Sequence, residues 1–342
     1  MGLNLVLITP KIKYSILRDR VPPLKKLFSL IDCLSNNDFV SGEVLSHQFS
    51  VSRTTISTWI AELESYGLTV HRVKGKGYRL IDRLQLLDKA VIHKGLSAEL
   101  LDSISVIDIA AESASTNQTA MKANYFDEKW KLFASEYQHT GRGRRGRQWV
   151  SPIGTNLLFS LARKAVWPPN VLYGASILTG IAVAEALQKY IHVPAKIKWP
   201  NDIYLEDAKA AGILCEMQGS PTDEALLVVG VGINVFSSPV LNEKATTNLG
   251  RYSLGKLDRN FLLIDLVASI INSIMQAVGN SANCYSKWVD YDYLYMKSVE
   301  IHQGQAITSG IANGIDDRGQ LKLVLFSGEE QVFNGGEVSV RW

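Results

Sequence analysis

Apolar residues recur at helical spacing over residues 22–34, where Leu24, Leu27, Phe28, Ile31 and Leu34 share one face. Pro22 and Pro23 suit the start of that helix. A second short helix is predicted from Ser41, carrying Val44, Leu45 and Phe49. A third is predicted from Ser52, a good N-cap, and ends at Gly67. In it Ile56, Ile60 and Leu63 form the buried face, while Arg53, Thr54, Thr55, Ser57 and Thr58 gather on the opposite face at the N-terminal end. Two short strands follow, 68–73 and 78–81, joined by the turn Lys74-Gly75-Lys76-Gly77. Three helices and a basic hairpin predict a winged helix-turn-helix, with Ser52, Arg53, Thr54, Thr55, Ser57 and Thr58 offered to the major groove and Lys74 and Lys76 to phosphates. The competing reading is the same fold used only for protein contacts.

Residues 83–102 read as a linker and then a helix, followed by a strand at 104–109. The polar turn from Glu112 to Asn117 caps a helix beginning near Gln118; taken alone, Ser115 and Thr116 are simple capping residues. Strands are predicted at 132–138 and 156–161, then a helix over 172–190 whose small polar residues are only Ser176 and Thr179, so it is buried on most sides. A strand pair brackets the turn Pro200-Asn201-Asp202, another strand begins near Lys209, and a further one runs over 226–234. Gly230 and Gly232 in the last mark close approach by a ligand or another backbone. An amphipathic helix covers 261–278, and from Val299 onward short alternating strands with glycine turns predict a small β-barrel of SH3-like size.

The chain has 342 residues, 46% hydrophobic and 20% charged, enough for two or three domains with their own cores. A net charge of +3 is too small for the whole chain to act as a polycation, so local clusters carry the electrostatic argument. Cys33, Cys215 and Cys284 show neither metal-ligand spacing nor a disulfide framework and read as small core fillers in a reducing cytoplasm. No secretory signal is expected at the N-terminus, and no stretch approaches the ~18 apolar residues of a membrane span.

The chemistry concentrates in Gly141-Arg142-Gly143-Arg144-Arg145-Gly146-Arg147-Gln148-Trp149. Its glycines let the backbone bend and approach a ligand, and its arginines are permanently charged forks that fit phosphate oxygens. The G-x-G-x-x-G match within it lacks the helix that a dinucleotide fingerprint needs, since Pro152 follows closely. A solvated charge run or nucleic-acid tail is the bland alternative, disfavoured by the apolar strands on either side. Lys198, Asn201, Asp202 and Lys209 in the same domain make a shared anion site credible.

Together, Tyr137 to Trp149, Lys198-Trp199-Pro200-Asn201-Asp202 and Lys209-Ala210-Ala211-Gly212-Ile213-Leu214 resemble the biotin–protein ligases, and with the winged helix the chain resembles their bifunctional bacterial form. The resemblance covers roughly residues 22–342. It implies an α+β chain with a winged helix-turn-helix at 21–83, a central α/β domain of class II synthetase type at 84–296 and an SH3-like domain at 297–342, behind an extension over 1–20. It further implies ATP-dependent formation of biotinyl-5′-AMP, with Mg2+, and transfer of biotin to a lysine of the biotin carboxyl carrier protein of acetyl-CoA carboxylase. An adenylate-bound homodimer on operator DNA would repress biotin synthesis genes. By the same resemblance Ser115, Thr116, Asn117, Gln138, Gly141, Arg142, Gly143, Arg144 and Lys209 hold biotin. Arg142, Arg144, Arg147, Trp149, Lys198, Asn201, Asp202 and Asn234 hold ATP or the adenylate, Asp202 also facing the metal. Arg144, Lys198 and Lys209 serve the reaction itself. Ala114 stands where the family has aspartate. The alternatives are a lipoyl or octanoyl transferase, and a non-catalytic regulator that senses a small molecule.

Overall fold

The computed structural model describes residues 24–35, 38–81, 84–220, 223–239, 245–280, 284–336 and 338–342. The expected extension over 1–20 and the prolines before the first helix lie outside them. The chain forms two compact units that divide between Leu84 and Gln85.

The first unit contains α1 (Leu24–Leu34), α2 (Gly42–Phe49), α3 (Arg53–Ser65), β1 (Val70–Val73) and β2 (Gly77–Leu80). Ser41 caps α2 by accepting from the Val44 amide, and Ser52 caps α3 by accepting from the Thr55 amide at 3.0 Å. Leu27, Leu30, Ile31, Leu34, Leu45, Ile56, Ile60 and Leu63 are fully buried. On the predicted apolar face of α1 one position differs: Phe28 is only half-buried, Leu30 taking the inward place; on α2, Val44 is exposed. The antiparallel hairpin β1–β2 turns through Gly75 (φ 82°) and Gly77 (φ 109°). A side chain at Gly77 would meet the Val40 carbonyl at 2.1 Å, so this turn requires glycine twice over.

In the second unit α4 (Lys89–Gly95) and α5 (Ala98–Ser103), two short helices where one was expected, precede β3 (Ile104–Ala110). Ser97 caps α5 and splits the pair. Then follow α6 (Thr116–Lys122), β4 (Trp130–Ser135), β5 (Leu157–Val166), α7 (Pro169–Leu187), β6 (Ala195–Lys198), β7 (Asp202–Leu205), β8 (Ala208–Gly219), β9 (Glu224–Ile233), α8 (Arg259–Gly279) and α9 (Trp288–Tyr291). The strands form one seven-stranded mixed sheet in the order β3-β4-β5-β9-β8-β7-β6, parallel only between β3 and β4.

Period-2 alternation assigns the two faces of this sheet. Leu132, Phe159, Leu161, Ile213, Val229 and Val231 join α7 and α8 in the main core, while Phe133, Ala162 and Val228 pack with Ala120 of α6 on the other face. By length and composition α7 and α8 could each cross a membrane, contrary to the sequence expectation. Their most apolar windows are 78% and 50% buried in the protein, which accounts for the apolarity through packing on the sheet.

The chain ends in β10 (Ser298–Gln303), β11 (Ala306–Ile315), β12 (Leu321–Leu325), β13 (Glu330–Phe333) and β14 (Ser339–Arg341), an antiparallel sheet in the order β13-β12-β11-β10-β14. Its Val299, Ile301, Leu321, Leu323 and Val340 are continuous with the main core. The architecture is α+β, as expected.

Candidate functional site

A cleft of about 480 Å³ opens on the α6 face of the mixed sheet. Its floor exists because β8 and β9 present glycines there. A Cβ at Gly230 would lie 2.0 Å from the Asn117 Oδ1, one at Gly232 would lie 2.6 Å from the Trp149 indole, and one at Gly212 would lie 2.9 Å from the same ring. The two glycines of β9 thus mark close approach by the protein's own Asn117 and Trp149, both of which line the cleft.

At the start of α6, Ser115 holds the N-cap position but makes no side-chain capping bond, so the simple capping reading fails for it. Ser115 is 3% exposed and lines the cleft. The Thr116 amide instead donates to the Gln138 Oε1 at 2.7 Å. The Ser160 Oγ on β5 lies 2.7 Å from the Thr116 Oγ1 and 2.6 Å from the Asn117 Oδ1. The Asn117 amide donates to the Leu214 carbonyl at 3.0 Å and to Glu216 at 2.7 Å. Ala114 contributes its carbonyl, which accepts from the amide and the hydroxyl of Thr140, each at 3.0 Å. The missing aspartate therefore leaves the Ser-Thr-Asn turn tied to the strand end that carries Gln138.

The arginine loop folds back on itself. Arg142 bridges Gln148, the Gly143 amide donates to the Arg147 carbonyl at 2.7 Å, and a 3-10 turn spans Arg144–Gly146 with Arg145 left-handed at φ 59°. Gly141 departs from expectation. It is buried and stands outside the cleft lining; a Cβ there would meet the Trp149 carbonyl at 2.4 Å, so its part is to let the two arms of the loop close up.

Several cations are already engaged. Arg142 forms an ion pair with Glu216 at 3.0 Å, a partner the sequence reading missed because 74 residues separate the two. Arg144 donates to the Asn201 Oδ1 at 3.1 Å and to the Gly335 carbonyl. Burial lowers its guanidinium below the usual arginine range, partly offset by Asp202. Lys209 pairs with Asp202 at 2.6 Å and lies 5.5 Å from the Trp149 ring centroid. Lys198 donates to the Val340 carbonyl at 3.0 Å. The Asn201 amide donates to the Ile213 carbonyl at 2.7 Å, and that of Asn234 to the Thr247 carbonyl at 3.0 Å. Two buried atoms, the Trp149 Nε1 and the Asn234 Oδ1, have no hydrogen-bond partner among the described residues. A buried donor and acceptor left this way are what a polar ligand would satisfy.

Fourteen of the fifteen residues named for biotin and nucleotide thus line one cleft, Gly141 being the exception. Chemically the cleft offers hydroxyl and amide groups for a neutral polar ring, an aromatic face, and cations for a phosphate chain.

In the first unit Arg53, Thr54 and Thr58 are exposed at the start of α3, and Lys74 and Lys76 are exposed on the hairpin turn. Thr55 and Ser57 are half-buried, and the hydroxyls of Ser52 and Thr55 engage each other at 2.8 Å, so the cap is their first employment.

Residues 112–234 match the biotin/lipoate A/B protein ligase family, residues 26–79 an HTH domain, and residues 297–341 the biotin protein ligase C terminal domain. The chain is 36% identical over 330 residues to the bifunctional ligase/repressor BirA of Salmonella typhimurium, covering 95% of this chain and 99% of that relative. The Escherichia coli protein of the same name gives the same identity and coverage. Among solved structures, a biotin protein ligase from Aquifex aeolicus in complex with biotin and ATP shares the fold with a TM-score of 0.57 at 24% identity, over 70% of this chain and 98% of that one.

Proposed function

Because this chain belongs to the biotin–protein ligase family, in its bifunctional ligase/repressor form, we propose that it makes biotinyl-5′-AMP from biotin and ATP, transfers biotin to a lysine of a biotin carboxyl carrier protein, and represses biotin synthesis genes. The observation that carries the reading is a single cleft holding Ser115, Thr116 and Gln138 together with Arg144, Lys209 and Trp149.

In the first step a biotin carboxylate oxygen attacks the α-phosphorus of ATP and pyrophosphate leaves. Two anions must meet, and the repulsion between them is the barrier that fixed cations reduce. Lys209 would bridge carboxylate and α-phosphate, sharing its ammonium with Asp202 until the substrates arrive. Arg142, Arg144, Arg147 and Lys198 would receive the phosphates, Arg142 after leaving Glu216. Ser115, Thr116, Gln138 and the loop backbone from Arg142 to Arg144 would orient the biotin ring, with Asn117 placing its neighbours. Trp149 would cover the adenylate, and the Asn234 Oδ1 offers it an acceptor. In the second step the carrier amine attacks the acyl carbonyl and AMP leaves. A mixed anhydride hydrolyses readily, so the arginine loop would close over it until the carrier arrives.

Mg2+ enters this reading with the nucleotide. Among the described residues no group of three or more His, Cys, Asp or Glu side chains could hold a metal, and Asp202, the sole carboxylate lining the cleft, is engaged by Lys209. These residues do not fit a metal held by the protein alone.

For repression, the exposed N-terminal end of α3 would read bases and Lys74 and Lys76 would contact phosphates. Loops ordered by the adenylate would complete a two-fold homodimer matched to two half-sites. The deciding assay is biotin-dependent exchange of labelled pyrophosphate into ATP, followed by label transfer to a carrier domain. Exchange with biotin and none with lipoate is expected; exchange driven by lipoate, or by neither acid, overturns the reading.

A further inference from the structure

The geometry points to Trp342 as a positioning residue that presents the Lys198 ammonium to the nucleotide phosphates; this rests on the ligase reading above. Lys198 closes β6 and is only 5% exposed, yet it lines the cleft. Two contacts from the C-terminal sheet fix its ammonium. One is the bond to the Val340 carbonyl at 3.0 Å; the other is the Trp342 ring, whose centroid lies 3.7 Å from the Nζ. The ring is fixed in turn. It packs edge-on against Tyr204 and Tyr293, 5.7 Å away in each case, and those two rings stack at 4.9 Å. Tyr204 is 2% exposed on β7, two residues past Asp202, and the Tyr293 hydroxyl donates to Asp207 at 2.8 Å.

A lysine side chain ordinarily loses most of its rotamer freedom when it binds a phosphate. Here that freedom is already gone before the nucleotide arrives, so the ordering cost falls on folding rather than on binding. A cation over an aromatic face is also held more firmly when water is excluded; Lys198 is buried on its side of the contact, while the Trp342 ring keeps 47% of its surface exposed. Arg144 is held by the Gly335 carbonyl in the turn ahead of β14, so two cations of the cleft wall are placed by the segment around β14. Neither contact was visible from sequence, because Lys198 and Val340 are 142 residues apart.

The test compares the full chain with Trp342→Ala, Trp342→Leu and Trp342→Phe in pyrophosphate exchange at varied ATP, with biotin binding by calorimetry and thermal denaturation alongside. Removing the ring face should raise KM for ATP about five- to thirtyfold, the equivalent of one cation–π contact, and leave kcat within about twofold. Biotin affinity should stay unchanged. Leucine should behave like alanine and phenylalanine should restore most of the loss, which bulk alone would not predict. If KM for ATP is unchanged in Trp342→Ala, or if leucine rescues as well as phenylalanine, the assignment is overturned while the ligase reading stands. If the wild-type chain shows no biotin-dependent exchange, both fall together. Should Trp342→Ala fail to fold, the leucine and phenylalanine pair still decides.

Discussion

Glu216 shows how one carboxylate organises a site without facing the substrate. It accepts from the Asn117 amide and pairs with Arg142, so it ties the start of α6 to the arginine loop across β8. The ion pair is partly exposed, at 39% and 25%, so its Coulombic worth is small and screened by salt. The hydrogen bond to Asn117 matters more, because Asn117 is 3% exposed and its amide would lose an acceptor. Glu216→Ala should therefore weaken biotin binding by about 1 kcal/mol, roughly fivefold, and Glu216→Gln should fall between, since it keeps an acceptor and gives up the charge. Calorimetric titration with biotin decides, and wild-type affinity in Glu216→Ala would remove Glu216 from the site. Residue types were legible in the sequence because the clustered arginines and the Lys-Trp-Pro-Asn-Asp turn are local strings. Partners such as Glu216, Val340 and Gly335 were not, because an ion pair or a carbonyl contact over such separations leaves no local pattern.

At the level of elements, β8 and β9 work as a floor whose bare positions decide what rests on it. Alternation sends Val229 and Val231 to the main core and Gly230 and Gly232 to the cleft face. A methyl at Gly230 has no room, since the Asn117 Oδ1 would lie 2.0 Å away and Asn117 is held by Leu214, Glu216 and Ser160. Gly230→Ala should cost about 1–3 kcal/mol as an overpacked site, seen as a lowered Tm, and should displace Asn117. An unaltered Tm with unaltered biotin affinity would show that the floor yields. The strands of this sheet were readable because buried apolar runs and alternating segments differ in period from helices. The single helix read after a linker within residues 83–102 is two, because Leu96 and Ser97 interrupt it with a new cap, a local bond that apolar spacing does not register. The Phe28 and Leu30 exchange has a similar origin. Both positions suit a helical stripe, and only tertiary packing chooses which points fully inward.

For the whole molecule, charge is concentrated rather than spread: the +3 of the chain is small, while Lys74 and Lys76 stand exposed on one hairpin and Arg142, Arg145 and Arg147 on one loop. On the two strands of the hairpin the arginines are engaged, Arg72 with Glu64 at 2.5 Å and Arg79 with the face of Phe39 at 4.9 Å from the ring centroid. Lys74 and Lys76 are therefore the candidate phosphate contacts of the hairpin, and a phosphate contact carries no information about base sequence. If the repressor reading holds, Lys74→Ala with Lys76→Ala should weaken binding to operator and to unrelated DNA by similar factors. The slope of log affinity against log salt should become shallower by about two, one for each phosphate contact given up. Gel-shift titrations over a range of salt, run with biotin and ATP present, measure both. A double variant with the wild-type slope would mean that the hairpin never meets DNA, and would return this unit to the reading in which it serves protein contacts alone.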